Sequence, residues 1–460
     1  MDIFSKCSRF TAAKEAQAAN VYAYFIRIDS AQGPTAIVEG KERVVICSNN
    51  YLGLANHPKV KEAAIAAIKK YGTSCTGSRF LNGTIDLHEK VERKFARFVG
   101  KESAILFTTG HHANLGAIAT IVGKGEYVIT DKLDHASIID GCQLSYGEML
   151  RYRHNNIDDL ERLLERYKEA GKLIVVDGIF SMEGDIANLP EIVKLARAYN
   201  ARVMVDDAHS LGVLGEHGRG TAEHFHLESE VDLIMGTASK SLASIGGFIA
   251  GNEDVIHYIK HLARSFIFTA SLPPASTAAI DAALDVIAAE PERRAQLWRN
   301  VNKMKNEFTR LGFDTGTSNT PIIPITVGEN MAAFHMWRRL YDEGVFTSPV
   351  VAPAVPEGHA IIRTSYTAAH TDEHLDFVLE KFAKVGREMG IISGVASVSF
   401  KDGEKTGAAE GLSSRAATTR KRRRLMGMAT DARFKWMWRR IKQLNMTEKT
   451  RAWIKKIWRA

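Results

Sequence analysis

Residues 203–213 read VMVDDAHSLGV. The run Val203–Val205 is apolar without alternation, the pattern of a strand buried on both faces, as in a parallel sheet covered by helices. Leu173–Val176, LIVV, reads the same way. On either side, short β-rich runs recur, giving the series Ala104–Phe107, Tyr127–Thr130, Leu173–Asp177, Val203–Asp206, Asp232–Met235 and Gly247–Ala250. The intervening segments 156–169 and 189–199 have helical spacing. Strand–helix alternation predicts a doubly wound α/β domain with a mostly parallel sheet. Such folds place ligands at the carboxyl ends of their strands, and Asp206, Asp207 and His209 fall just there. Taken alone, Asp-Asp-x-His also fits a solvated turn or a divalent-cation site, although no further His/Asp/Glu cluster supports a metal.

Other polar clusters follow strand candidates. Lys240 lies in GTASKSLASIGGF, 236–248, just beyond Asp232–Met235. A lysine desolvated in a small-residue loop has a lowered pKa, which favours the free amine and imine formation; taken alone, a surface-loop lysine is the better reading. A carboxylate such as Asp206 at a strand end can keep a pyridine nitrogen protonated, the electron-sink condition of pyridoxal phosphate (PLP) chemistry. His135 follows Tyr127–Thr130 in TDKLDHASIIDG and could stack on a planar ring, or be an ordinary polar loop residue. Thr109-Gly110-His111 stands between a strand and a helix start, where backbone N–H groups bind phosphate. There is no G-x-x-x-x-G-K-[ST] loop, and no G-x-G-x-x-G follows a strand with a partner acid, which disfavours a nucleotide fold.

The chain has 460 residues, enough for two or three domains. No apolar run reaches the ~18 residues of a membrane span, and the start MDIFSKCSRF has no apolar h-region. Cys7, Cys47, Cys75 and Cys142 are scattered, which argues against a disulfide framework or a zinc site and fits a reducing cytosol. After residue 400, 18 Lys and Arg face 5 Asp and Glu, so the tail carries +13 and the first 400 residues −5 of the net +8. The expected organisation is an N-terminal segment (1–45), a large domain (46–289), a smaller α+β domain (290–392) with a helix at Arg293–Leu311 and strands at Ile322–Val327 and Ala360–Thr364, a flexible linker (393–419) and a basic amphipathic tail (420–460). In the tail Phe434, Trp438, Ile441 and Leu444, then Trp453, Ile454, Ile457 and Trp458, recur at helical spacing among Arg and Lys. That pattern suits an anionic membrane surface. The expected location is therefore cytoplasmic, peripheral on the inner face of the cell membrane. Packing on the enzyme body is the plainer alternative, and nucleic acid is not an expected partner.

Eight ordered segments carry a resemblance: SNNYLGLANHP (48–58), GTSCTGSRFLNGTIDLHEKVE (72–92), DHASIIDG (134–141), VDGIFSMEGDIANLP (176–190), VDDAHSLGVLGEHGRG (205–220), GTASKSLASIGGF (236–248), FTASLPPA (268–275) and RTSYTAAHT (363–371). Across roughly residues 20–390 the chain resembles the α-oxoamine synthases, a family of fold-type I PLP-dependent transferases. NVYAYF, SRFLNGT and SKSLASIGGF look most like the bacterial serine palmitoyltransferases among them. The resemblance implies roles by position. Lys240 would be the Schiff-base lysine and move the proton at the substrate Cα. Asp206 would pair with the pyridinium, His209 with the phenolic oxygen, and His135 would stack on the ring. Ser181 would lie near the ring, and Thr237 would hold the phosphate with the backbone of Gly110 and His111. Thr269 and Ala270 would reach the phosphate of a neighbouring subunit, implying a homodimer with shared active sites. Arg363 would take an amino-acid carboxylate beside Asn49 or Asn50. The implied reaction is decarboxylative condensation of L-serine with a long-chain acyl-CoA to 3-ketodihydrosphingosine. Glycine or alanine with another thioester, and a non-enzymatic binding protein, are the rival readings. Two positions depart from the family: His111 stands where Phe or Tyr is usual, and Ser348–Gly358 offers no arginine before Arg363.

Overall fold

The structure, a computed structural model, describes residues 2–393. Most of the expected linker and the whole of the expected basic tail, residues 394–460, lie outside the described residues. The described chain divides into an N-terminal unit ending at Tyr22 and a body beginning at Ala23. The first holds two short helices, Ser5–Ser8 and Ala12–Ala18, with no buried residue.

The body opens with a hairpin, β1 (Thr35–Val38) and β2 (Lys41–Val45). Its centre is a sheet of β3 (Ser103–Phe107), β4 (Tyr127–Asp131), β5 (Glu148–Tyr152), β6 (Lys172–Asp177), β7 (Arg202–Asp206), β8 (Leu233–Thr237) and β9 (Gly247–Gly251), in the order β3-β9-β8-β7-β6-β4-β5. From β8 to β5 all pairs are parallel, and β9 runs antiparallel to both neighbours. The apolar runs do not alternate because both faces are covered. Val203 and Val205 join one core cluster while Met204 joins the other, and Ile174 and Val176 divide from Leu173 and Val175 in the same way. Burying each such side chain contributes roughly 1.5–3 kcal/mol. β5 has no apolar run of this kind. It is an edge strand, only its last residue is buried, and the sequence pattern missed it.

Beyond the large sheet, the helix Pro291–Leu311 starts with proline at its first position, where no N–H is needed. It stops at Gly312, whose φ of +92° suits glycine. A second sheet follows: β10 (Ile322–Gly328), β12 (Ser348–Val350) and β13 (Ala360–Ser365), ordered β10-β13-β12 and antiparallel. The short β11 (Val345–Phe346) leaves that region to pair in parallel with β2, so residues 35–45 share a sheet with the C-terminal part of the chain. Among the described residues no helix is long and apolar enough to cross a membrane.

Candidate active site

The parallel strands all end on one edge of the large sheet. β6 ends at Asp177, β7 at Asp206 and β8 at Thr237, and His135 follows β4. β3 runs the same way because it is antiparallel to β9, so the helix Gly110–Ile121 starts at this edge too. A cavity of about 310 Å³ opens there, lined by Gly110, His111, His135, Ser181, Asp206, His209, Thr237 and Lys240 of the sequence-predicted residues.

The helix start is shaped for an anion. Thr109 caps it, its hydroxyl accepting from the His112 N–H at 3.1 Å. The N–H groups of Gly110 and His111 belong to the first turn, which has no intrahelical acceptor. Close approach explains the glycines: a Cβ on Gly247 would lie 2.5 Å from the Gly110 Cα, and one on Gly110 would lie 3.0 Å from Thr237. Thr237 Oγ1 donates to the Gly246 carbonyl at 3.0 Å and accepts from the Ser239 N–H at 3.3 Å. The His111 Nε2 lies 3.3 Å from the Asp140 carboxylate, so its side chain turns to a polar partner at the position where the resemblance leads one to expect an aromatic ring.

Asp206 is buried and accepts from the Ala208 N–H at 2.9 Å and from the Asn114 amide at 2.7 Å. Burial brings the Lys240 amine down to about 8 against the opposing pull of Asp206 and Asp177. Burial, then the charges of Lys240 and Arg363, push His209 well below its ordinary range, so the ring is neutral; its Nδ1 lies 2.7 Å from the Tyr51 hydroxyl. Burial also lowers His135. The His135 Nδ1 accepts from the Ser137 N–H at 3.2 Å, which leaves the neutral ring's proton on Nε2.

Arg363 on β13 does not line the cavity but flanks it. Its Nε donates to the Ser181 carbonyl at 2.7 Å and its Nη2 to the Asn49 Oδ1 at 3.1 Å. Asn50 is used locally: its Oδ1 accepts from the Ala55 N–H and its carbonyl from the Gly53 N–H. Thr269 and Ala270 stand outside the cavity of their own chain, and the Ala270 carbonyl accepts from the Thr108 hydroxyl at 2.8 Å.

Sequence reasoning missed Tyr51, Asn114, Ser137 and Asp177. Asp177 had a readable signal, since it ends the strand next to that of Asp206 and is its register partner. Burial, then the Asp206 and Asp134 charges, raise its carboxyl well above the usual range. Asn114 and Tyr51 had none, because each acts through contacts distant in sequence.

The donor set fits PLP. A buried amine, a carboxylate held by two N–H donors, a neutral imidazole with a fixed ring and a glycine-opened helix start surround one cavity. Comparison with known proteins agrees. The family model of aminotransferase class I and II matches residues 41–382. The serine palmitoyltransferase of Sphingobacterium spiritivorum is 50% identical over 389 residues, covering 84% of this chain and 98% of that protein. The 8-amino-7-oxononanoate synthase of Thermoanaerobacter pseudethanolicus is 46% identical over 381 residues, covering 82% and 96%. Among solved structures, the Sphingomonas wittichii serine palmitoyltransferase matches with a TM-score of 0.83 at 37% identity, covering 85% of this chain and all of that one. Another serine palmitoyltransferase structure, described as holding PLP, matches equally well. The chain belongs to the aminotransferase class I and II family, as one of its PLP-dependent α-oxoamine synthases, and is similar along most of its length to bacterial serine palmitoyltransferases.

Proposed function

We propose that the protein condenses L-serine with a long-chain acyl-CoA and releases CoA and CO₂, giving 3-ketodihydrosphingosine. Bound PLP supplies an electron sink for negative charge at the substrate Cα. The new bond joins the serine Cα to the acyl carbonyl carbon. The Cα–H, the thioester C–S and the Cα–carboxylate bonds break, and a proton returns to Cα. In this reading Lys240 holds the cofactor and moves the Cα proton, as its lowered amine allows. Asp206 would be the counter-ion of the ring nitrogen, and neutral His209 would donate to the phenolic oxygen. His135 would stack on the ring, and Gly110, His111 and Thr237 would hold its phosphate, with Ser181 nearby. Arg363, steered by Asn49, takes the serine carboxylate.

The observation that carries the choice of substrate is the 50% identity to a serine palmitoyltransferase along nearly its whole length. A second reading, another amino acid with another thioester, is favoured by the 46% identity to an 8-amino-7-oxononanoate synthase. Competing serine, glycine and alanine against one another with palmitoyl-CoA separates them: serine should give the highest kcat/KM, and a clear preference for alanine or glycine overturns the serine assignment. The proposed assembly is a homodimer in which Thr269 and Ala270 complete the partner's phosphate site. The proposed location is cytoplasmic, with the basic tail on an anionic membrane surface.

A further inference from the structure

Asn114 is completely buried on the helix Gly110–Ile121 and spends both amide N–H groups inside the site. One goes to the Asp206 Oδ2 at 2.7 Å, the other to the Ser137 Oγ at 2.8 Å. Its Oδ1 is buried without a hydrogen-bond partner. An amide flip would aim that oxygen at the Asp206 carboxylate, so the acid dictates the orientation. The Ser137 hydroxyl, having accepted from Asn114, donates onward to the His135 Nδ1, 2.7 Å away. A continuous chain of hydrogen bonds thus runs from Asp206 through Asn114 and Ser137 to His135.

Two acids meet beneath this cavity, since Asp177 and Asp206 are register partners on adjacent strands and both line it. Two such carboxyls do not both ionise readily in a buried site. Asp177 accepts one backbone N–H, from His135 at 2.9 Å, at its Oδ2. Asp206 accepts the Ala208 N–H and the Asn114 amide, one on each oxygen.

We propose that Asn114 is a positioning residue that places the negative charge of this acid pair on Asp206 and, through Ser137, fixes the tautomer and plane of His135. The inference rests on the PLP reading, in which Asp206 faces the ring nitrogen. The raised carboxyl of Asp177 accords with it. The groups whose charge acts on Asp206 are Asp177 on β6, Asp207 next in the chain, and His135 and Lys240 at the cavity. All four are unchanged in every variant below, so a difference between wild type and the Asn114 variants reports on Asn114.

The test uses full-length protein and PLP itself. PLP affinity and the pH of half-release on acidification are read from the visible spectrum for wild type, Asn114→Leu, Asn114→Asp and Asp206→Asn, with melting temperature followed in parallel. Removing a donor from Asp206 weakens the hold on its negative charge, so cofactor release should move to higher pH. Asn114→Leu should bind PLP at least about tenfold more weakly at neutral pH and release it at least about one pH unit higher. Asn114→Asp keeps the shape and puts a competing acid beside Asp206, so it should shift the same way; if the leucine variant does not fold, this one decides. A lowered melting temperature with affinity and release pH unchanged in both Asn114 variants, while Asp206→Asn loses PLP, makes Asn114 a packing residue and overturns the inference alone. Wild-type affinity and release pH in Asp206→Asn overturn the ring-nitrogen role of Asp206, and the inference with it.

Discussion

At the residue scale the site is a set of groups whose charge states are set by burial. Burial lowers the Lys240 amine to about 8, so it is protonated below that pH and free above it. Only the free amine captures an aldehyde. The rate at which the apoprotein takes up PLP should therefore rise with pH through about 8 and level off above; a rate flat from pH 6.5 to 9.5 would show that the amine is not perturbed in this way. Arg363 is held by the Ser181 carbonyl and Asn49, a geometry that presents a guanidinium without spending its charge on a carboxylate. Arg363→Ala should raise the serine KM by roughly 10- to 100-fold, the worth of a charged hydrogen bond, while PLP stays bound. An unchanged KM would place the serine carboxylate elsewhere. Lys240, Asp206 and His209 were legible in the sequence because each follows an apolar strand run directly. Asn114 and Tyr51 were not, because their partners, Asp206 and His209, lie far along the chain and meet them only after folding.

At the element scale, the strands buried on both faces announced themselves as unbroken apolar runs, and β6 and β7 came out within a residue of their ends. The edge strand β5 and the short β11 and β12 did not, since half-exposed strands and strands of two or three residues leave no such run. The contact that matters most for the cofactor is between elements: β9 lies so near the helix start that the Gly247 position has room for no side chain. Gly247→Ala should push the Gly110 backbone off its place, costing about 1–3 kcal/mol of stability by overpacking. It should also weaken PLP binding far more than an alanine at the exposed Gly125, where no atom lies within 4 Å of the added Cβ beyond its chain neighbours. Equal PLP affinity in the two variants would mean that the helix start does not hold the phosphate.

At the scale of the whole molecule, Thr269 and Ala270 stand outside the cavity of their own chain, as residues that serve a partner's site would. Exposed apolar side chains adjoin them: Phe268, 74% exposed, precedes Thr269, and Phe80 and Leu81, 55% and 78% exposed, follow Ser78, which bridges to Ala270. A Thr269→Glu chain and a Lys240→Ala chain should each be inactive. Mixed, they should regain activity through heterodimers carrying one intact site; no recovery on mixing, with dimers present, would confine each site to one chain. In the proposed reaction Lys240 carries out a condensation in which serine loses its carboxyl carbon. The most direct measurement follows carboxyl-labelled serine with palmitoyl-CoA in wild type and Lys240→Ala. The wild type should release the label as CO₂ in step with CoA and form 3-ketodihydrosphingosine, and Lys240→Ala should fall by many orders of magnitude. A product that keeps the label, or a Lys240→Ala enzyme working at about a tenth of the normal rate, would contradict it.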